Sequence, residues 1–185
     1  MIRRPPRSTQ SRSSAASDVY KRQTINIYPD SRTLAEIAVQ TAKVARRFGV
    51  KPKVAMLSFS NFGTSGELRT DRIEEAVAIA RELDPDLIID GPMQADTALV
   101  PDIQEDYPFM SFDGPANVLI CPNLASANIA YKLLQRIAGA EMTGPILEGL
   151  SRPAHVLQRG DSVRDVVHMA AICAVDAQRH ARQRL

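Results

Sequence analysis

The chain has 185 residues, of which 44% are hydrophobic, and a formal net charge of +2. This length provides an ordinary domain core without disulfides or a structural metal. No apolar run approaches the roughly 18 residues that a membrane-spanning helix requires, so we expect a cytoplasmic protein with no membrane partner. The three histidines and two cysteines lack metal-ligand spacing. We therefore expect no protein-held metal and reduced thiols at Cys121 and Cys173.

Residues 1–23 differ from the rest of the chain in charge, with six basic residues against the single acid Asp18. Such a head is typical of a nucleic-acid-binding arm or of a transit peptide. It has no apolar periodicity, however, and it resembles a translated sequencing adaptor. We favour this last interpretation, treat residues 1–23 as a non-native or disordered head, and expect no nucleic-acid partner.

From Thr24 onward short apolar runs alternate with helical periodicity, which predicts an α/β fold with a mostly parallel sheet. A run at 24–28 predicts a strand, and a helix follows whose apolar positions recur from Leu34 to Phe48. Thr33 and Glu36 have the spacing of a capping box, and Gly49 stops this helix. A buried strand at 53–58 then leads to a second helix ending near Leu83, whose inward face comprises Ile73, Ala76, Val77 and Ala80.

The alternation resumes after an irregular stretch. A short strand at 87–89 precedes residues 90–112, where Pro101 and Pro108 argue against long regular elements. A strand at 117–121 leads into a helix that Gly139 ends, with inward residues Ala127, Ala130, Leu133, Leu134 and Ile137. The last helix follows residues 159–161 and has an apolar stripe of Val163, Val166, Val167, Ala170, Cys173, Ala174 and Ala177.

Three loops are candidates for binding an anionic ligand, because open α/β sheets bind ligands where a strand gives way to a helix. The loop at 58–66 offers hydroxyls and glycines to a phosphate, and its candidate residues are Ser58, Ser60, Gly63 and Ser65. A polar turn that caps the next helix explains the same residues equally well.

The other two loops also have alternative interpretations. Asn117, with Asn128 and Lys132 on one face of the following helix, can hold a phosphorylated ligand, although an exposed lysine usually belongs to a solvated face. In the third loop Arg159 can clamp a phosphate and Asp165 can act as a general base. Ser162 and Asp165 equally have the spacing of a capping box, which would account for Asp165 without catalysis.

Four segments carry a resemblance to phosphate acetyl/butyryltransferases: DGPMQAD at 90–96, ANVLICPNLASANIAYKL at 116–133, GPILEGL at 144–150 and QRGDSVRDVV at 158–167. The similarity runs from Thr24 to about Gln178. Within this superfamily, HVLQRG at 155–160 and MAAICAVDAQ at 169–178 more closely resemble the transacetylase-like tail of NADP-dependent malic enzymes.

The resemblance implies helices on both faces of the sheet, in a two-domain architecture of the isocitrate dehydrogenase type with an acyl-CoA cleft. Residues 24–160 would form the second α/β domain, and residues 161–185 a helix that returns to a first domain absent from the chain. The apolar stripe of that helix would then lack its native partner. In the family, a serine and an arginine steady acetyl phosphate while an aspartate deprotonates the CoA thiol. Arg159 and Asp165 match these roles, and Gln158 stands in the serine position.

The leading hypothesis is an acetyl-CoA-binding region that regulates a malic enzyme, with Ser162 added to the ligand-binding candidates named above. The alternative is an active phosphate acetyltransferase that uses CoA and acetyl phosphate. This chain would itself hold no cofactor, since NADP and a divalent metal would belong to an absent malic enzyme catalytic region. The resemblance implies a homo-oligomer and contact with the missing N-terminal region of the parent chain. Nucleic-acid binding, a third hypothesis, requires residues 1–23 to be native.

Overall fold

The computed structural model describes residues 26–63, 68–139, 143–148, 150, 152–157 and 160–182. The expectations for residues 1–25, Ser65, Gln158 and Arg159 lie outside these residues. The described chain divides into two compact units, one comprising the residues before 140 and the other beginning at Thr143.

The first unit contains a parallel sheet of three short strands. These are β1 (Lys53–Leu57), β2 (Ile88–Met93) and β3 (Val118–Ile120), in the spatial order β2-β1-β3. Val54 of β1 lies opposite Ile89 of β2 and Val118 of β3. The three strands expected here from their apolar runs are confirmed.

Two long helices cover one face of this sheet. They are α1 (Ser31–Arg47) and α2 (Leu68–Leu83), and the predicted inward face of α2 is confirmed as buried. Fully buried alanines lie along both helices, and small side chains allow the two backbones to approach closely. The core between these helices and the sheet is made of Leu34, Ala35, Ala38, Val39, Ala42, Val54, Met56, Ile73, Ala76, Val77, Ala80, Leu87, Ile89, Val118 and Ile120.

The opposite face of the sheet is covered by two very short helices and the chain that follows them. These are α3 (Ala95–Leu99) and α4 (Pro101–Gln104), in the region expected to be irregular. Pro101 occupies the first turn of α4, where a missing N–H costs no helical hydrogen bond. The second core cluster consists of Ala55, Met93, Ala98, Phe112 and Ala116. Helices on both faces of a parallel sheet confirm the expected fold class.

The start of α1 differs from the sequence prediction. Asp30 is the N-cap, and its carboxylate accepts a hydrogen bond from the Thr33 amide at 2.8 Å. The predicted capping box of Thr33 and Glu36 was therefore wrong, because the N-cap lies three residues earlier, at Asp30, and Glu36 instead pairs with Arg32. Residues 26–30 are not a strand, which also corrects the expectation for 24–28. Gly49 follows the helix with φ +77°, as expected of its stop.

The helix after β3, α5 (Leu124–Ile137), contains no buried residue. The expectation that Ala127, Ala130, Leu133, Leu134 and Ile137 face inward was wrong, since the three larger side chains are at least half exposed. The helix leaves an edge strand, and no other described helix or strand packs extensively against it. The apolar face that the sequence pattern predicts is therefore present on this helix, but it is exposed within the described part of the chain.

The second unit contains one long helix, α6 (Val163–Arg182). Met169 is its buried residue, whereas Val163, Val166 and Val167 of the predicted stripe are exposed. The described residues between Thr143 and Leu157 form neither helix nor strand. The expectation that the third candidate loop follows a strand was therefore wrong. Pro145 and Pro153 lack the amide hydrogen that a regular ladder requires. None of the described helices has the length and apolar composition to cross a bilayer.

We expect Leu34→Ala to destabilise the first unit by about 2–5 kcal/mol, because it empties a fully enclosed site in the core. Leu34 is 1% exposed, whereas Leu133 on α5 is 50% exposed. Leu133→Ala is therefore the matched control and should change the free energy of unfolding by less than about 0.5 kcal/mol. Urea denaturation followed by circular dichroism measures both. Equal losses would mean that the α5 face is covered in solution.

Candidate active site

The carboxyl edge of the sheet is where the starts of α1 and α5 meet α2. The Arg72 guanidinium on α2 donates to the Pro29 carbonyl at 2.8 Å and to the Pro122 carbonyl at 3.0 Å. Pro29 precedes α1, and Pro122 follows β3 and precedes α5. Helix N-termini carry partial positive charge and point amide groups outward. This edge therefore has the electrostatic character that an anionic ligand requires.

The starts of α1 and α5 are already capped by their own side chains. Asp30 caps α1, and the Asn123 side chain accepts from the Ser126 amide at 2.9 Å. The hydrogen bonds from Thr33, through its side chain and its amide, lower the pKa of Asp30. A carboxylate at this position competes with an incoming anion for the same amide groups. The loop after β1 is therefore the better candidate for ligand contact at this edge.

The loop at 58–63 is held firmly against the end of β2. The Ser58 amide donates to the Met93 carbonyl at 2.8 Å, and the Phe62 amide donates to the Pro92 carbonyl at 2.7 Å. Ser60 is buried, Ser58 is half-buried, and Gly63 has φ +73°. The structure thus brings three of the predicted residues, Ser58, Ser60 and Gly63, into one ordered turn at the carboxyl edge.

Sequence reasoning missed the side chains that organise this loop. The Asn61 side chain accepts from the Gln94 amide at 2.7 Å and donates to the Tyr107 hydroxyl at 3.1 Å. The Gln94 side chain in turn donates to the Phe59 carbonyl at 2.6 Å. Asn61 and Gln94 are 33 residues apart, so no local pattern indicates the pair. The side-chain amide groups of Asn61 and Gln94 hold the backbone that carries Ser58 and Ser60.

Phe62 has a left-handed backbone conformation, with φ +47°. This is an unfavourable region for a bulky residue, and such strain is concentrated at functional sites. The ring packs against those of Tyr107 and Phe109, at centroid distances of 5.3 and 4.8 Å. Phe109 itself is 64% exposed. The three rings hold the strained turn in place beside the candidate serines.

Asn117 lies at the opposite, amino edge of the sheet. Its side-chain oxygen accepts from the Lys53 amide at 2.8 Å, and its side-chain nitrogen donates to the Lys51 carbonyl at 2.9 Å. It thereby joins the start of β3 to the start of β1. The amino ends of parallel strands lie at the edge away from their carboxyl ends. The structure therefore does not bring Asn117 together with Ser58 and Ser60.

Asn128 and Lys132 lie on the exposed surface of α5, one turn apart as the sequence predicts. Asn128 is just beyond the first turn of this helix, which begins at the carboxyl edge. The Lys132 ammonium lies 4.8 Å from the centroid of the Tyr131 ring. Both side chains are exposed, so a ligand in solvent can reach them.

Cys121 follows β3 at the same edge as the candidate loop. Burial raises the pKa of its thiol above the ordinary value. A protonated thiol is a poor nucleophile and a poor metal ligand. Within the described ranges, no group of three or more histidine, cysteine, aspartate or glutamate side chains is arranged to hold a metal ion.

In the second unit, Ser162 and Asp165 form the capping box of α6. The Asp165 carboxylate accepts from the Ser162 hydroxyl at 2.7 Å and from the Ser162 amide at 2.8 Å, while the Ser162 hydroxyl accepts from the Asp165 amide at 3.2 Å. These hydrogen bonds, first the side-chain one and then the backbone one, lower the pKa of Asp165, and the charges of His168 and Arg164 act in the same direction. A lowered pKa keeps Asp165 ionised and makes it a weaker base.

Comparison with known proteins decides the family. A family model described as phosphate acetyl/butaryl transferase matches residues 14–174. The chain belongs to the phosphate acetyl/butaryl transferase family. The resemblance carried by its four segments is thereby confirmed, and the match begins within the head that we set aside at 1–23.

Relatives of this phosphate acetyl/butaryl transferase chain include phosphate acetyltransferases and an NADP-dependent malic enzyme. A phosphate acetyltransferase of Bacillus subtilis (strain 168) is 45% identical over 154 residues, covering 83% of this chain and 48% of that protein. An NADP-dependent malic enzyme of Salmonella typhimurium (strain LT2) is 46% identical over 157 residues, covering 83% of this chain and 21% of that protein. The crystal structure of a phosphotransacetylase from Streptococcus pyogenes matches with a TM-score of 0.80 and 43% identity, over 84% of this chain and 48% of that one.

This phosphate acetyl/butaryl transferase chain therefore matches about half the length of the Bacillus subtilis phosphate acetyltransferase and about a fifth of the malic enzyme. Both relatives cover the same share of this chain, 83%.

We expect Ser162→Ala to raise the pKa of Asp165 towards that of an ordinary aspartate, because the variant removes the hydroxyl that donates to the carboxylate. A ¹³C titration of the carboxyl carbon measures the change, and Val163→Ala, at the exposed neighbouring position, is the control. With its pKa lowered, Asp165 contributes stability that is fully present above about pH 4 and is lost as pH falls through the lowered value. An unchanged titration in Ser162→Ala would contradict this assignment.

Proposed function

We propose that this chain binds acetyl-CoA as a regulatory region of an NADP-dependent malic enzyme. The observation that carries the proposal is the engagement of Asp165 in the capping box of α6. This carboxylate is the match to the family's general base, and its lowered pKa disfavours taking a proton from a thiol. With Gln158 in the serine position, the chain retains groups that bind an acyl-CoA while losing groups that turn it over.

The carboxyl edge of the sheet supports the binding part of this proposal. CoA carries phosphate groups, and the partial positive charge at helix N-termini attracts anions. The ligand-contacting residues that we propose there are Ser58, Ser60, Gly63 and Ser65, with Asn128 and Lys132 at the rim. In the second unit we assign ligand contact to Arg159, whose guanidinium suits a phosphate oxygen pair, and to Ser162. Of the ligand-binding residues predicted from the sequence, Asn117 has the least support, because it lies at the amino edge of the sheet.

The malic enzyme assignment is supported by the relative from Salmonella typhimurium, of which this chain matches 21%. The rest of such a protein would convert malate to pyruvate and CO₂ with NADP and a divalent metal. Acetyl-CoA bound to this chain would change the rate of that reaction. The assembly that we propose is a homo-oligomer in which this chain also contacts the N-terminal part of its own polypeptide.

An active phosphate acetyltransferase is the second candidate, because Arg159 and Asp165 are both present and the Bacillus subtilis relative is 45% identical. In that reaction the CoA sulfur forms a bond to the acetyl carbon of acetyl phosphate. The bond from this carbon to the phosphate oxygen breaks, phosphate leaves, and the thiol proton passes to a base. Asp165 would have to leave its capping box to accept that proton.

We expect Arg159→Ala to weaken acetyl-CoA binding at least about tenfold, since a charged hydrogen-bonding partner of the ligand is lost. Isothermal titration calorimetry on the intact protein that carries this chain provides the measurement. Arg136→Ala on exposed α5 removes the same charge elsewhere and should bind as tightly as wild type. Equal affinity in wild type and Arg159→Ala would show that the arginine does not contact the ligand.

Turnover separates the two candidate functions. We expect the intact protein to release little or no acetyl-CoA from CoA and acetyl phosphate, and Gln158→Ser to raise the rate because it supplies the family's hydroxyl. Acetyl-CoA should, in contrast, change the rate of malate-dependent NADP reduction. Rapid acetyl transfer by wild type, together with no effect on malate oxidation, would establish the transferase and reject regulation.

A further inference from the structure

Phe109 is an exposed aromatic side chain beside the candidate loop at 58–63. The residue is 64% exposed, and its ring lies 4.8 Å from the Phe62 ring and 6.1 Å from the Tyr107 ring, measured between centroids. Both pairs meet edge to face, with interplanar angles of 76° and 90°. Aromatic pairs favour this geometry. The two contacts therefore hold the Phe109 ring in place while most of its surface remains open to solvent.

Exposure alone does not mark a binding surface, because single apolar side chains are common on protein surfaces. Phe48, at the end of α1, is 57% exposed. What distinguishes Phe109 is its support by the ring of Phe62, whose backbone has the left-handed φ of +47°. Such strain persists only where the surroundings impose it, and it is concentrated at functional sites. The exposed ring is thus part of an arrangement that the fold maintains at a cost in backbone strain.

The aromatic cluster of Phe62, Tyr107 and Phe109 is joined to the candidate loop by more than ring packing. Phe62 is itself a loop residue, and the Asn61 side chain donates to the Tyr107 hydroxyl at 3.1 Å. All four residues belong to the first unit and to the described part of the chain. The cluster therefore lies at the carboxyl edge of the sheet with the loop, and nothing in its placement depends on the second unit.

Charged groups of both signs border this edge. A Cβ atom added at Gly63 would lie 2.8 Å from the Glu74 carboxylate, so a carboxylate borders the end of the loop next to Phe62. A phosphate is repelled there, whereas a neutral ring is not. Elsewhere on the edge, the Arg72 guanidinium joins the segments that lead into α1 and α5, and helix N-termini attract anions. The edge thus combines a positive region with an aromatic surface, and a nucleotide presents the complementary pair of groups.

We propose that Phe109 is the stacking surface for the adenine ring of acetyl-CoA, an inference that rests on the ligand proposed above. Stacking requires a π face on each partner, and the exposed Phe109 ring supplies one. Because the base is neutral, the Glu74 carboxylate does not repel it, and the phosphates of CoA face the positive region of the edge. Phe62 and Tyr107 support the stacking ring from behind.

The affinity test uses calorimetry with acetyl-CoA and the intact protein that carries this chain. Phe109→Ala should weaken binding about tenfold, within the range that alanine substitution gives for one stacked base. Phe109→Leu keeps an apolar side chain without a π face and should also weaken binding, whereas Phe109→Trp should bind at least as tightly as wild type. Phe48→Ala, at a similarly exposed phenylalanine, is the control and should match wild type.

Phe109→Trp also reports stacking directly, because this chain contains no tryptophan. The emission of the variant, after subtraction of the wild-type emission, should be quenched by acetyl-CoA and by adenosine 3′,5′-bisphosphate, the nucleotide part of CoA. Acetyl-pantetheine 4′-phosphate, which lacks the base, should leave the emission unchanged at the same concentration. Equal quenching by this fragment would overturn the assignment of the ring to adenine.

The outcomes separate this inference from the proposed function. If wild type binds acetyl-CoA and Phe109→Ala binds equally well, the stacking role is rejected and the proposed function stands. A lower melting temperature in Phe109→Ala with unchanged affinity would show that another part of the protein covers the ring, which also overturns the proposal. Affinity equal to wild type in Phe109→Leu would reduce the contact to an apolar one and reject stacking.

Absence of acetyl-CoA binding by wild type would reject the proposed function. The same experiment still decides the purine site in that case, because adenosine 3′,5′-bisphosphate is tested by itself. Quenching of Phe109→Trp by this nucleotide would support a purine-stacking surface without the malic enzyme role. No quenching would reject both.

Discussion

Parallel pairing of β1 with a strand on each side is the constraint on which the first unit depends. Val54 lies opposite both Ile89 and Val118, and this pairing places the carboxyl ends of all three strands at one edge. Each crossover must then return across a face of the sheet, which is how α2 comes to cover the larger core. The loops that leave the strands collect at the carboxyl edge for the same reason.

Several hydrogen bonds hold the described part of the candidate loop, residues 58–63, against the end of the sheet. Backbone hydrogen bonds from Ser58 and Phe62 attach it to the end of β2, and the side chains of Asn61 and Gln94 complete the attachment. A ligand that meets this loop therefore meets groups already in place, so little ordering cost accompanies binding. The left-handed Phe62, supported by two aromatic neighbours, is the strained point of this arrangement.

The second unit shows a different way of holding an irregular segment in place. It has no described strand, and its irregular chain is held by side chains that bond to backbone and to α6. The capping box of Ser162 and Asp165 fixes the start of that helix. The same hydrogen bonds that stabilise the helix lower the pKa of Asp165, so they also make this carboxylate a weaker base.

The sequence by itself determined the strands β1, β2 and β3, the helices with their buried face on α2, the Gly49 stop and the family. These depend on local periodicity, on glycine conformation, or on motifs read in order. Tertiary structure decided what depends on distant partners: the contacts of Asn61 with Gln94 and of His155 with Asp176, the placement of Asn117 at the amino edge, and the exposure of α5. An apolar face on a helix predicts that another part of the protein packs against it. Only the folded chain shows whether that partner is present, because burial depends on neighbouring elements that the periodicity of one helix does not encode.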